Sequence, residues 1–280
     1  MEEITIDSLT QTIKKRETHS HKGSYGRLLL IGGNYNYGGA ITMAAKAAIY
    51  AGAGLVSVAT HSINLPALHA SVPEAMFVDW RDQKTLVQLI KQVDVVVLGP
   101  GLGQDDYAKK LMTLVKESIS TNQTIVLDAD ALNNIAQNTS LTPRAAKKII
   151  MTPHQVEWQR LTGLKMNFQD EKANQTYLKY IAKNLTVVLK SEKTTVFQNE
   201  CEPHFIDIGT PAMATGGMGD TLAGIIAAFI GQFGETADTI YAAVYLHSFI
   251  ANHLSKSNYV VLPSRLIDEI PHFMSRYSQK

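Results

Sequence analysis

Short β-branched or aliphatic runs, three to six residues long, alternate with longer small-residue or amphipathic stretches through most of this chain. Runs that are apolar throughout, with no in-and-out alternation, suit strands buried on both faces, and such strands pair in parallel through helical crossovers. The pattern predicts an α/β fold with a mostly parallel central sheet flanked by helices. The predicted strands are Arg27 to Ile31, Leu55 to Ala59, Val93 to Leu98, Thr124 to Leu127, Ile149 to Met151 and Thr186 to Leu189. Helices are predicted between them at Ala40 to Ala51, Lys84 to Lys91, Tyr107 to Ser118, Gln155 to Leu161 and Glu171 to Lys183. A hairpin of Thr194 to Gln198 with Pro203 to Ile208 follows, and then helices at Thr221 to Ile230, Thr236 to Ser255 and Pro263 to Met274. No low-complexity linker, internal repeat or charge block divides the 280 residues, so one domain spanning 1–280 is expected.

Ligands of such open sheets bind beyond the carboxyl ends of the strands. Five predicted strand ends carry Gly, Asp, His or Lys: Gly32-Gly33, Gly99 to Gly103, Asp128-Ala129-Asp130, Thr152-Pro153-His154, and Lys190. Asp130 is expected to cap a helix beginning at Ala131, whereas Asp128 is left open as a magnesium ligand. His154 follows Pro153 at a helix start, where a lowered pKa keeps the ring neutral and able to share a hydrogen bond with a ligand. Glu157, one turn further, offsets the helix dipole. Lys190 ends an apolar strand, so its charge either meets a phosphate at the mouth of the site or solvates the sheet end.

The segment Ala214-Thr215-Gly216-Gly217-Met218-Gly219-Asp220 runs directly into an apolar helix whose Leu222, Ile225, Ile226 and Phe229 share one face. Backbone N–H groups with almost no side-chain cover at a helix N-terminus make an anion site, because they lack intrahelical partners and the peptide dipoles add there. Asp220 adds a carboxylate where negative charge develops during phosphoryl transfer, and this suits either a catalytic base or a residue that compensates the dipole.

Other phosphate motifs are missing. Gly99 to Gly103 has Gln104 or Asp106 where a dinucleotide fingerprint has its third Gly, and Lys22 to Gly26 lacks the spacing of a P-loop. A net charge of +1, from 26 basic and 25 acidic residues, gives no general attraction to nucleic acid or to an anionic membrane. Cys201 is the only cysteine, which excludes an intrachain disulfide and a four-cysteine zinc site. The polar start from Met1 to Lys22 and the lack of any membrane-length apolar stretch predict a cytosolic protein.

Several ordered blocks together resemble the carbohydrate-kinase-like family of NAD(P)H-hydrate dehydratases, which repair damaged nicotinamide cofactors. The blocks are Gly23 to Gly26, Gly38-Gly39-Ala40, Ala51 to Val56, Gly99 to Gly103, Asp128 to Asn133, Thr152-Pro153-His154, Leu189-Lys190 and Ala214 to Asp220. The resemblance implies a ribokinase-like three-layer sandwich and the ADP- or ATP-dependent dehydration of the S epimers of hydrated NADH and NADPH. It further implies magnesium, a homotetramer, a separate epimerase partner and a preference for ADP. Asp220 matches the base, and the N–H groups of Gly217 to Gly219 would stabilise the transferring phosphoryl group. Ala40, Gly103 and His154, with Asp220, match contacts to the hydrate; Lys190, Ser191, Glu192, Lys193, Thr194 and Gly219 match the adenine-nucleotide site. Ser191 stands where the family usually has Gly, and Thr210 where it commonly has Asn, so the geometry of the nucleotide loop is expected to differ. A kinase of a small hydroxymethyl or hydroxyethyl compound would use the same loop and aspartate, and a nucleotide-binding protein without catalysis would use the loop alone.

Overall fold

A computed structural model describes residues 1–278 of the chain. The chain begins with β1 (Glu2–Glu3) and α1 (Asp7–Thr12), then alternates as β2 (Arg27–Ile31), α2 (Gly38–Tyr50), β3 (Leu55–Thr60), α3 (Leu65–Ser71), β4 (Met76–Asp79) and α4 (Gln83–Ile90). It continues as β5 (Val95–Leu98), α5 (Asp106–Ser118), β6 (Thr124–Leu127), α6 (Asp130–Gln137), β7 (Lys148–Met151), α7 (Gln155–Thr162), α8 (Glu171–Ile181) and β8 (Leu185–Leu189). The hairpin β9 (Thr194–Gln198) and β10 (His204–Ile206) precedes α9 (Met218–Phe233), α10 (Ala237–Ser255) and α11 (Pro263–Tyr277).

All ten strands form one sheet in the order β1-β10-β9-β8-β7-β6-β5-β2-β3-β4. Strands β2 to β8 are mutually parallel, and β9 runs against both of its neighbours. After β2 the chain builds outward through β3 and β4, then returns to place β5 on the other side of β2. The strand order reverses there, which opens a crevice between the loops that follow β2 and β5.

Side chains alternate across the sheet with period two. Leu28, Leu30, Val95, Val97, Val126 and Ile150 face a core shared with α2, α9, α10 and α11. Leu29, Ile31, Val96, Leu98, Ile125 and Ile149 face a second core shared with α4 to α8. These two cores make the structure a three-layer α/β sandwich, as predicted. Strand Val93 to Leu98 starts two residues late, at Val95, because Asp94 turns its carboxylate to accept the Arg27 N–H at 2.7 Å.

The sequence reading leaves out β1, α1, α3 and β4, which are short or sit at the edge of the sheet. β4 is only partly buried, and α3 opens with a proline in its first turn, so neither carries a sustained apolar period.

Helices α2 and α9 pack through Ala44, Ala47, Ala48, Ala223, Ala227 and Ala228, all fully buried. The approach is close enough that a β-carbon on Gly224 would lie 2.2 Å from the Ala44 carbonyl oxygen. Gly224→Val is therefore expected to destabilise the fold by roughly 1–3 kcal/mol through overpacking. Gly39→Ala, where a β-carbon meets nothing within 4 Å, is expected to change stability by less than about 1 kcal/mol. Urea unfolding of both variants checks the contrast.

Candidate active site

The first turn of α9 is the centre of the candidate site. Gly217 is its N-cap, in the left-handed region at φ 99°, a conformation that costs a side-chain-bearing residue free energy. The first amide to close on the helix is Thr221, which donates to the Gly217 carbonyl at 3.0 Å. The amides of Met218, Gly219 and Asp220 therefore precede the helical ladder. The sequence reading started this helix at Thr221 and assigned the free amides to Gly217 through Gly219. The earlier start moves that set one residue along the chain.

Beneath this turn Lys190, at the end of β8, forms an ion pair with Asp128, at the end of β6, with Nζ to Oδ1 at 2.9 Å. The same oxygen accepts the Thr152 hydroxyl at 2.7 Å. A β-carbon on Gly219 would stand 3.0 Å from Lys190 Nζ, so any side chain there would press on the ammonium and shift it from the pair. Burial opposes the charge on Lys190, but the field and hydrogen bond of Asp128, with Glu157 and Asp220, raise its pKa above the usual lysine value. Asp220 is pushed up to about 7, first by burial and then by Asp128, while Lys190 pulls the other way. A carboxylate with that value is a stronger base than a solvated one and can still be deprotonated near neutral pH.

Asp130 is not the helix cap that its position suggested. Ala129 holds the cap position of α6 at φ 48°, and Asp130 is the first helical residue. Its carboxylate instead turns across the crevice, where Oδ2 accepts the Gly103 N–H at 2.8 Å and fixes the loop after β5. Asn134 donates to the Gly103 carbonyl at 2.9 Å and completes the clamp. Ala40 lies in the first turn of α2, facing the same loop, and its N–H donates to the Tyr37 carbonyl at 3.3 Å.

His154 caps α7, and its Nδ1 accepts the N–H groups of Val156 and Glu157, both at 3.2 Å. That arrangement puts the proton of the neutral ring on Nε2. Burial lowers its pKa, and Lys190 and Arg160 lower it further, which favours the neutral ring. Glu157 does more than offset the dipole. It is buried, accepts the His154 N–H at 2.8 Å and so closes a capping box.

A cavity of about 950 Å³ extends from this turn along the hairpin. His154, Lys190, Ser191, Glu192, Lys193, Thr194 and Gly219 all line it, which joins the whole predicted nucleotide set to one hydrate residue. Ala40, Gly103, Gly217 and Asp220 lie outside its lining, with Ala40 and Gly103 on the segments that follow β2 and β5. Met213, Met218, Leu222 and Val244 give the cavity an apolar end. Thr210, where the loop departs from the family, also lines it and caps the turn that follows by accepting the Ala212 N–H at 3.3 Å.

The sequence reading missed His247, which lines the same cavity from α10. It is buried, its Nε2 has no hydrogen-bond partner, and burial pushes its pKa down to about 4, helped by Lys190. A histidine within the apolar run Ala242 to Phe249 was the available signal. Among the described residues, no group of three or more His, Cys, Asp or Glu side chains is arranged to hold a metal ion.

A family model described as NAD(P)H-hydrate dehydratase matches residues 28–272. The chain is 48% identical to an ADP-dependent (S)-NAD(P)H-hydrate dehydratase of Lactiplantibacillus plantarum, over 100% of this chain and 99% of that one. It resembles the crystal structure of a ribokinase-like superfamily protein from Enterococcus faecalis, with a TM-score of 0.95 and 43% identity over 100% and 97% of the two chains. It also resembles the ADP/ATP-dependent NAD(P)H-hydrate dehydratase of Bacillus subtilis co-crystallised with ATP/Mg2+, with a TM-score of 0.85 and 28% identity over 99% and 98% of the chains.

The environment of Asp220 has a consequence for stability. Its folded-state pKa of about 7 exceeds the ordinary 3.8, so the fold favours the protonated acid. That contribution is full below about pH 3.8 and is lost as pH rises through 7. Asp220→Asn keeps the neutral form at every pH. Its melting temperature relative to the unaltered protein should therefore rise by several degrees between pH 4 and pH 8, as read by calorimetry across that range.

Proposed function

We propose, since this chain belongs to the NAD(P)H-hydrate dehydratase family, that it uses ADP to return the S epimers of hydrated NADH and NADPH to the reduced cofactors. The observation that carries this reading is the position of Asp220. It sits in the anion-binding first turn of α9, one residue beyond Gly219, where the cavity lined by Lys190 to Thr194 ends.

The chemistry needs a better leaving group than hydroxide. The hydroxyl oxygen of the hydrate attacks the terminal phosphorus of the nucleotide while Asp220 takes its proton, and AMP departs. The carbon–oxygen bond then breaks with its electron pair going to phosphate, and loss of a ring C–H proton restores the double bond. The amides of Met218 to Asp220 and the Lys190 ammonium suit the charge that gathers on the migrating phosphoryl group. The neutral His154 ring, with a proton on Nε2, suits a hydrogen bond to the hydrate, and the clamped Gly103 loop and Ala40 suit contacts near its reacting end. The apolar end of the cavity suits adenine, with the phosphates directed toward Gly219.

The described residues do not form a magnesium cage, because no three acidic or His side chains converge to hold a metal ion, and Asp128 Oδ1 already holds Lys190 and Thr152. A magnesium ion would arrive on the phosphate oxygens of the nucleotide and keep water in its shell. Among the described residues no helix is long and apolar enough to cross a membrane, and Cys201 is free and exposed, which agrees with a reducing cytosol. One catalytic unit over 1–280, a homotetramer and a separate epimerase complete the proposal by family analogy.

Incubation with hydrated NADH and ADP should restore the absorbance of the dihydronicotinamide and release AMP and phosphate in equal amounts. A stable phosphate ester without that absorbance would identify a kinase instead. Asp220→Asn should lower kcat by at least about 10²-fold, the contribution of a positioned base, and leave ADP binding intact by calorimetry. Because the base must be deprotonated, kcat/KM should rise with pH to a plateau with an apparent pKa near 7. A flat profile from pH 5 to 8 would remove Asp220 from that role.

A further inference from the structure

We propose that Tyr35, flanked by Tyr37 and Ile63, forms a platform on which the adenine at the far end of the hydrated dinucleotide stacks. The inference rests on the substrate named above and assigns the part of it that no residue described so far receives.

The loop from Gly33 to Tyr37 lies on the crevice at the strand-order reversal. Gly33 N–H donates to the Pro100 carbonyl at 2.9 Å and Asn34 N–H to the Gly101 carbonyl at 2.7 Å, so the loop rests directly on the Gly99 to Gly103 turn. It then leads into the helix turn that carries Ala40. The tyrosines thus stand beside both backbone segments assigned to the hydrate.

Their rings face water. Tyr35 is 70% exposed, Tyr37 60% and Ile63 55%. The loop that carries them is held firmly. Asn34 Oδ1 accepts the N–H groups of Asn36 at 2.9 Å and Tyr37 at 3.0 Å, and Asn64 Nδ2 donates to the Gly33 carbonyl at 2.7 Å. Behind Tyr35 runs a row of rings. Tyr35 and His61 meet edge to face at 5.9 Å, His61 meets Trp80 at 6.1 Å, and Trp80 meets Tyr107 at 5.8 Å. The loop is braced from both sides, and the rings are left outside.

The substrate dictates what comes here. Hydrated NADH carries the reacting ring at one end and adenosine at the other, joined through a pyrophosphate. With the reacting ring at Asp220 and ADP in the cavity beyond Gly219, the rest of the dinucleotide has to leave on the opposite side, toward β2 and α2. None of Tyr35, Tyr37 and Ile63 lines the ADP cavity. Exposed rings on a rigid loop suit a purine face, because base–aromatic stacking needs no hydrogen-bond register.

The test compares hydrated NADH with hydrated reduced nicotinamide mononucleotide, which keeps the reacting ring and lacks the adenosine. The ratio of kcat/KM for the two substrates reports what the adenosine contributes. Tyr35→Ala should reduce that ratio about tenfold, the size of one base–aromatic stack, mainly through a higher KM for hydrated NADH. Tyr35→Phe keeps the ring and should keep the ratio. The exposure of Tyr35 makes misfolding of either variant unexpected, and the same preparation acting on the shorter substrate is the control for folding. An unchanged ratio in Tyr35→Ala, an equal loss on both substrates, or altered subunit assembly with an unchanged ratio would overturn the platform. Failure of the unaltered protein to act on either hydrate would overturn the activity itself, and the platform with it.

Discussion

The ion pair between the buried Asp128 carboxylate and the half-buried Lys190 ammonium is the interaction on which the site depends. It ties the carboxyl ends of β6 and β8 together under the first turn of α9, and the bare Cα of Gly219 lets that turn descend onto it. Removing Lys190 would leave the buried Asp128 carboxylate without its cation, a destabilising change. The pair also sets the electrostatics of the site. Asp128, Asp130, Glu157 and Asp220 place four carboxyl groups in one region, and Lys190 is the cation that draws Asp220 back toward ionisation. Without that ammonium, burial and like charge would push Asp220 further toward the protonated acid. A stability element and a catalytic setting are therefore one structure.

Topology explains why these residues meet. The strand-order reversal between β2 and β5 opens the crevice, and the close α2–α9 packing, allowed by alanines and Gly224, brings two helix N-termini to its edges. The hairpin β9–β10 extends the sheet past β8 and supplies the far wall of the nucleotide cavity. Ala40 and Gly103 face one side, the Lys190 to Thr194 loop faces the other, and Asp220 lies between them. On the proposed reading two ligands approach from different directions and meet at one carboxylate, which is the geometry a phosphoryl transfer between them requires.

Much of this was legible in the sequence. The parallel core strands announced themselves through uninterrupted aliphatic runs, and the strand-end rule gathered the loops at Gly99 to Gly103, Asp128 to Asp130 and His154 before any coordinates. The Gly-rich turn with Asp220 was recognisable because its chemistry is local. What failed was long-range pairing. Asp130 looked like a cap because its neighbours in sequence form a helix, but its partner is Gly103, on another loop. The ion pair of Lys190, expected to meet a phosphate or solvate the sheet end, with Asp128, left open as a magnesium ligand, could not be foreseen, because nothing in the order of residues says that these two side chains find each other across β7. His247 was hidden for the opposite reason, since a polar residue within an apolar helix has no local partner to mark it. The edge elements α3 and β4 were missed because partial burial relaxes the periodicity that reveals a strand or helix.

The central claim is that the hydroxyl of the hydrate leaves as phosphate, after Asp220 has made it a nucleophile, and does not leave as water. Oxygen tracing tests this most directly. Hydrated NADH carrying heavy oxygen in its hydroxyl group is turned over with ADP in ordinary water, and the released phosphate is examined by mass spectrometry. The account predicts one heavy oxygen in each phosphate formed. Heavy oxygen recovered in water, with unlabelled phosphate, would contradict it.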